Sequence, residues 1–297
     1  MVTSRLLRKW ENCLVFFFAV LFCFSLSAFF SSFTLAGYGS NWHAGLPTSI
    51  LVVSALSLNH FKEGLKMCKS LHRHKELRED FKLRLVIYNL GDLTGKHVKE
   101  LKNACPLSEM RNFTFAEYPD YVANLRQYRW KPIILNETIR ESEVLVWADS
   151  STEFQEITNE SFKATNLTSS EVSMRLVGST GHSIYRATDP RMYKHLPIPE
   201  TEAKRLMMFS AALQVWVRTP KLVESVLKPW LQCSLVENCM GPKKAQIRCE
   251  MKKFPEPQYA QCHRFDQSAI NIILANVSGF KQELYQSESQ LLVTKRF

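Results

Sequence analysis

From Asn12 to Phe61 the sequence carries no Asp, Glu, Lys or Arg. Glycine and proline are sparse, 10 and 12 of 297 residues, which excludes collagen-like and low-complexity architecture. No C-x-x-C pair occurs, so a structural zinc site lacks support; Cys262-His263 is a single adjacent pair. A P-loop is also missing. Gly91 and Gly95 have the wrong spacing, and His97 stands where Ser or Thr is needed. Gly37-Tyr-Gly39 precedes any strand, and Gly178-Ser-Thr-Gly181 lacks the spacing of a nucleophile elbow. Hydrophobic residues, at 45% against 22% charged, are plentiful, as a packed globular chain requires.

The charge-free stretch has a direct reading. Residues 13–36 are almost continuously Leu, Val, Phe, Ala and Ser, and about 20 apolar residues suffice for a helix to cross a bilayer. Arg5, Arg8 and Lys9 precede this run, and no Lys or Arg follows until Lys62. The positive-inside bias therefore predicts a cytosolic tail at 1–12, a transmembrane signal-anchor at 13–36, a stem at 37–48 and a luminal domain at 49–297. The expected location is the Golgi or endoplasmic reticulum membrane, as a single-pass type II protein. The alternative is a signal peptide cut after Ala36, although cleavable apolar regions are usually shorter than this one.

Five sequons, at Asn112, Asn136, Asn159, Asn166 and Asn276, exceed the roughly two that composition would give by chance. Asn136 and Asn276 fall in or beside expected helices, which leaves Asn112, Asn159 and Asn166 as the glycosylation candidates. Six cysteines lie beyond the apolar segment: Cys68, Cys105, Cys233, Cys239, Cys249 and Cys262. An even number in an oxidising compartment implies disulfides. Sequence order pairs Cys68 with Cys105 and leaves two bridges within the cluster after Cys233. The net charge is +10. In a luminal domain this excludes nucleic acid and suits phosphate-bearing donors or acidic glycans, unless it is ordinary surface lysine.

Between residues 50 and 150 strand and helix patterns alternate. Strands are expected at 50–56, 82–90, 113–116 and 144–147, and helices at 61–74, 94–103 and from Pro132 through Ile139. Thr94 has the character of an N-cap. Alternation of this kind predicts an α/β fold with a mostly parallel sheet, whose functional residues lie at the carboxyl ends of strands. A further strand is expected over 207–217, then helices over 220–231 and 268–275. The stretch 243–257 is basic and Pro-bearing, a loop tied by cysteines.

Three segments have chemical content. Val144-Leu-Val-Trp-Ala-Asp149-Ser-Ser places a carboxylate directly after a buried strand, where it can hold a divalent ion or serve as a turn residue. Phe209-Ser-Ala-Ala-Leu-Gln-Val-Trp-Val leads into a helix. His263-Arg-Phe-Asp266-Gln267-Ser-Ala-Ile-Asn271 opens an apolar helix, at which Asp266 is either an N-cap or a site residue.

In this order the three segments resemble the GT-A fold nucleotide-diphospho-sugar glycosyltransferase superfamily, in particular a poorly characterised type II single-pass animal group, over residues 49–297. The resemblance implies a GT-A-like sheet and transfer from a nucleotide sugar to a glycan or glycoprotein. It implies Asp266 and Gln267 as catalytic residues and Asp149, Ser151 and Lys131 on the donor side, with Lys131 otherwise a solvated lysine. Gly181 and His182 become acceptor-side candidates. Asp149 would ligate Mn or Mg, but Ser151 stands where the family has a second Asp. Ser210 and Ala212 replace its Asn and Gly. One carboxylate binds a hard cation more weakly than two, which leaves metal dependence open. A non-catalytic binding protein is one alternative, and a secreted structural or adhesion domain is another.

Overall fold

The computed structural model describes residues 49–74, 82–106, 108–156, 172–287 and 293–296. Contacts divide the chain into Met1–His43, outside those residues, and Ala44–Phe297. The expected membrane segment at 13–36 also lies outside them. Among the described residues no helix is long and apolar enough to cross a membrane.

The strands are β1 (Ile50–Leu56), β2 (Arg84–Asn89), β3 (Ser108–Asn112), β4 (Val144–Ala148), β5 (Thr152–Glu156), β6 (Met174–Val177), β7 (Ser179–Ser183), β8 (Met207–Phe209), β9 (Leu213–Val217), β10 (Gln286–Ser287) and β11 (Val293–Arg296). The main sheet has the order β10-β6-β9-β4-β1-β2-β3. β1 runs parallel to β2 and β4, β2 to β3, and β10 to β6. Only β9 opposes its neighbours β4 and β6. The expected α/β class with a mostly parallel sheet is therefore present.

β1 shows why its sequence reads as an unbroken apolar run. All seven of its residues are buried. Leu51, Val53 and Ala55 join the core that holds Trp130, Trp147 and Ile270, while Ile50, Val52 and Leu56 join the core with Phe61, Met67 and Leu71. A sheet covered on both faces needs no alternation with polar residues. Helix Phe61–His72 packs close enough to β1 that a Cβ on Gly64 would lie 2.9 Å from a Leu56 methyl. Helix Gly95–Ala104 opens on a reciprocal cap between Thr94 and His97, as the N-cap reading expects. Disulfide Cys68–Cys105, expected from sequence order, ties these two helices, and the two bridges expected within the later cluster are Cys233–Cys239 and Cys249–Cys262.

Two elements depart from expectation. The third strand is Ser108–Asn112, whereas Phe113 onward leads into a 3-10 turn at Phe115–Glu117. β3 is an edge strand paired on one side only, so Ser-Glu-Met-Arg-Asn suffices and no apolar run marks it. The run at 207–217 is two strands. β8 pairs with β7 in a small sheet and β9 crosses into the main one, with the break at Ser210-Ala211-Ala212.

The helix after Thr219 runs through Pro220–Leu222, a π turn at Val223–Leu227, and Lys228–Ser234. Beneath its end sits Arg129, with no exposure to solvent. Its guanidinium donates to the carbonyls of Ser234 at 2.8 Å and Val236 at 3.0 Å, where this helix ends and the short helix Glu237–Met240 begins. Burial pushes its pKa down to about 10, so it remains charged at neutral pH.

Candidate functional site

Lys131, the second residue of helix Trp130–Thr138, is 2% exposed rather than solvated. Its Nζ lies 2.7 Å from Asp266 Oδ2 and 3.1 Å from Asp149 Oδ1, and donates to the Ala211 carbonyl at 3.1 Å. The ammonium thus makes one hydrogen bond and two ion pairs, and among the described residues Asp266 Oδ2 has no hydrogen-bond partner. The rings of Tyr128 and Trp147 flank the charge at 5.6 and 5.4 Å. Burial alone would lower the Lys131 pKa, but Asp149 and Asp266 outweigh it and hold the amine above its ordinary value. Complete burial pushes the Asp266 carboxyl up, with Lys131 opposing. The sequence gives no sign of this: a lysine before a proline has the composition of a surface helix start.

Each carboxylate is placed by its element. Asp149 follows β4 directly, and its N–H donates to the Ala212 carbonyl at 2.7 Å, extending the β4–β9 ladder. Trp147, two residues back and so on the same face, donates from Nε1 to Asp149 Oδ1 at 2.8 Å. Thr152 N–H closes a turn onto the Asp149 carbonyl at 2.9 Å, and Ser151 lies partly buried within that turn.

Asp266 is the first residue of helix Asp266–Val277 and not its cap. The cap position belongs to Phe265, a buried non-glycine residue at φ 45° and ψ −109°. Strain of that kind persists only where the surroundings over-determine it. It frees the Asp266 side chain from capping to meet Lys131. Trp230 Nε1, on the preceding long helix, donates to the Asp266 carbonyl at 3.2 Å.

Gln267 and Asn271 fasten the same helix to the β8–β9 break. Asn271 Oδ1 accepts from Phe209 N–H at 2.9 Å, and its Nδ2 donates to Phe209 O at 2.8 Å, copying a strand partner. Gln267 Oε1 accepts from Ala211 N–H at 3.4 Å, and its Nε2 lies 2.9 Å from Met208 Sδ. The Ala211 residue is thus held at its carbonyl by Lys131 and at its N–H by Gln267. Sequence reasoning singled out Asp149, Asp266, Gln267 and Lys131, and the structure brings these four together. It missed Trp147, Tyr128 and Trp230, since buried tryptophans at strand and helix spacing have the same pattern as ordinary core.

Gly181 and His182 lie on β7, which pairs with β8 on the side of Met208. Gly181 is exposed, whereas His182 is buried and its pKa is lowered, chiefly by that burial. Among the sequons, Asn112 is exposed at the end of β3, and Asn136 and Asn276 are exposed on helices. Asn159 and Asn166 lie outside the described residues.

His263, three residues before Asp266, is fully buried. Its Nδ1 accepts from Asp189 N–H at 3.1 Å, so Nε2 carries the proton toward the Met240 carbonyl at 3.0 Å. Burial pushes its pKa down to about 4. An unfolded histidine takes up its proton near pH 6.5, so the stability due to neutral His263 is complete above that pH. It is lost as pH falls toward 4, by about 3 kcal/mol. Urea unfolding across that range should show the loss in wild type and a clearly shallower loss in His263→Gln; equal slopes would contradict the assignment.

The described residues do not fit a resident divalent cation. Asp149 Oδ1 is taken by Lys131 and Trp147, Asp266 is turned to the same ammonium, and Ser151 offers no carboxylate. Among the described residues no group of three His, Cys, Asp or Glu side chains could hold a metal ion.

A family model described as protein of unknown function (DUF1647) matches residues 44–136, which include Lys131 but neither carboxylate partner. No curated protein matches the chain. Among solved structures, the apo bifunctional glycosyltransferase WbbM is similar at TM-score 0.47 and 14% identity, covering 76% of this chain and 37% of its own. Core-mannan synthase A from Aspergillus fumigatus, in an Mn/GDP form, gives 0.48 and 9%, covering 84% and 75%. The galactosyltransferase LgtC with donor and acceptor sugar analogues gives 0.36 and 11%, covering 61% and 59%. The chain spans little more than a third of the first and well over half of the last. At such TM-scores and identities the likeness carries no assignment.

Proposed function

We propose that the chain is a GT-A-like glycosyltransferase that moves a sugar from a nucleotide-diphosphate donor to a glycan or glycoprotein acceptor in the secretory pathway. One observation supports this: three segments far apart in sequence, which resemble the site-forming segments of that superfamily, meet at the Lys131 ammonium. In this reading Asp266 and Gln267 face the donor sugar or acceptor hydroxyl. Asp149 and Ser151 lie on the donor side, with Gly181 and His182 toward the acceptor. Lys131 positions the two carboxylates and offsets their charge.

The test is a screen of nucleotide-diphosphate sugars with the full-length protein, read as release of nucleoside diphosphate. Saturable release with one donor is the expected result. A second reading, a non-catalytic nucleotide-sugar binding protein, is favoured by Ser151 and by the neutralisation of the carboxylates by Lys131. Saturable binding without release would select it.

The proposal includes a type II anchor at 13–36 in the Golgi or endoplasmic reticulum membrane. Glycosidase treatment of full-length protein should shift its mobility, and carbonate extraction should leave it with the membranes. Release into the soluble fraction would favour the cleaved, secreted form.

A further inference from the structure

The basic, cysteine-tied stretch at 243–257 forms one wall of an open cavity of about 690 Å³. The opposite wall is the 3-10 segment Pro190–Lys194 with Asp189 before it. The cavity is firmly built. Cys249–Cys262 closes the loop, Arg186 holds the carbonyls of Met251 at 2.6 Å and Phe254 at 2.8 Å, and Glu250 N–H donates to Ala260 O at 2.9 Å. Two lining residues, Lys244 at φ 63° and Gln261 at φ 55°, are held in the left-handed region that non-glycine residues seldom adopt.

Its charge is unbalanced. Arg191, Lys244, Arg248 and Lys253 face two carboxylates. Asp189 is committed to Arg191, with contacts at 2.6 and 2.9 Å, and Glu250 pairs with Lys253 at 3.2 Å. Lys244 and Arg248 make no ion pair among the described residues. The same cavity is lined by two aromatic rings, Tyr259 and Phe254, the latter with Lys253 Nζ over one face at 5.3 Å.

Two unpaired cations beside two aromatic planes suit a ligand with fixed anionic groups on a body carrying C–H faces. We infer that this cavity binds an acidic saccharide, a sugar unit bearing carboxylate or sulfate. Arg248 and Lys244 would take the anion, the former through its planar fork, and Tyr259 and Phe254 the ring. The cavity also adjoins the Asp266 cluster through shared structure. Asp189 donates from its backbone to His263, and five positions of chain carry Gln261 to Asp266. Its use for seating an acidic acceptor rests on the transferase reading; its binding of the saccharide does not.

The test measures binding of a sulfated disaccharide, a uronate disaccharide and their neutral analogue to the full-length protein, at low and physiological salt. Nucleoside diphosphate binding is measured in parallel. Wild type should bind at least one of the anionic sugars about tenfold more tightly than the neutral one, and added salt should weaken that binding. The double variant Lys244→Glu/Arg248→Glu should lose about tenfold in affinity for the anionic sugar and keep its nucleotide binding. Tyr259→Ala should weaken the disaccharide and leave inorganic sulfate unaffected. Equal binding of charged and neutral sugars, an unaltered double variant, or sulfate ion competing as well as the whole sugar would overturn the proposal. Anionic sugar binding without any nucleotide binding would leave this proposal standing and remove the transferase reading.

Discussion

Replacing Lys131 with Met should cost the fold about 3–5 kcal/mol, the usual penalty for removing one partner of a buried ion pair. Methionine fills the space of the lysine stem, so the loss is electrostatic. Asp149 and Asp266 would face each other without the ammonium at 3.1 and 2.7 Å from each, and the Ala211 carbonyl would lose its donor. Asp266, already raised by complete burial, would take up a proton. Combining Lys131→Met with Asp149→Asn and Asp266→Asn removes both uncompensated charges and should recover most of the stability. Urea midpoints with constant m-values read both effects. A single Lys131→Met variant as stable as wild type would show that the cluster is not the closed charge system described above.

Asp149→Asn makes the opposite prediction from within the same cluster. Lys131 keeps Asp266, Asn retains an oxygen for the Trp147 N–H, and the Asp149 N–H bond to Ala212 is untouched. Stability should change little. If the chain is a transferase in which Asp149 accepts from a hydroxyl of the donor, replacing that charged acceptor with a neutral amide should cut turnover about ten- to a hundredfold. Ser151→Asp would add a second carboxylate in the turn after Asp149 and should create manganese binding that wild type lacks, measured by titration. Turnover unchanged in Asp149→Asn would place the site elsewhere. Absent turnover in wild type, with nucleotide and metal bound by Ser151→Asp, would select the binding-protein reading.

Much of the fold was legible because burial on both faces imprints itself on sequence. β1 and β4 read as continuous apolar runs, and Cys68, Cys105 and the later cysteines paired in the order they occur. β3 was misplaced because an edge strand bonded on one side demands no apolar pattern. The 207–217 run hid its break because Ser210, Ala211 and Ala212 are all buried, so composition does not change where the backbone turns. In the site, Asp149 and Asp266 were visible from their positions at a strand end and a helix start. The environment of Lys131 was not. Its partners lie 18 and 135 residues away in sequence, and no local pattern records an ion pair made by tertiary folding.

The break between β8 and β9 serves the cluster through main-chain atoms alone. Lys131 uses the carbonyl of Ala211, Gln267 its N–H, and Asp149 the carbonyl of Ala212. Every residue type offers those carbonyls, and every type but proline that N–H. The cluster therefore depends on the course of the backbone at this crossing, which buried side chains hold, Ser210 Oγ accepting from Ala212 N–H at 3.2 Å. Ser210 and Ala212, where the resembling superfamily has Asn and Gly, alter the lettering of that segment and leave its polar contacts to the cluster in place.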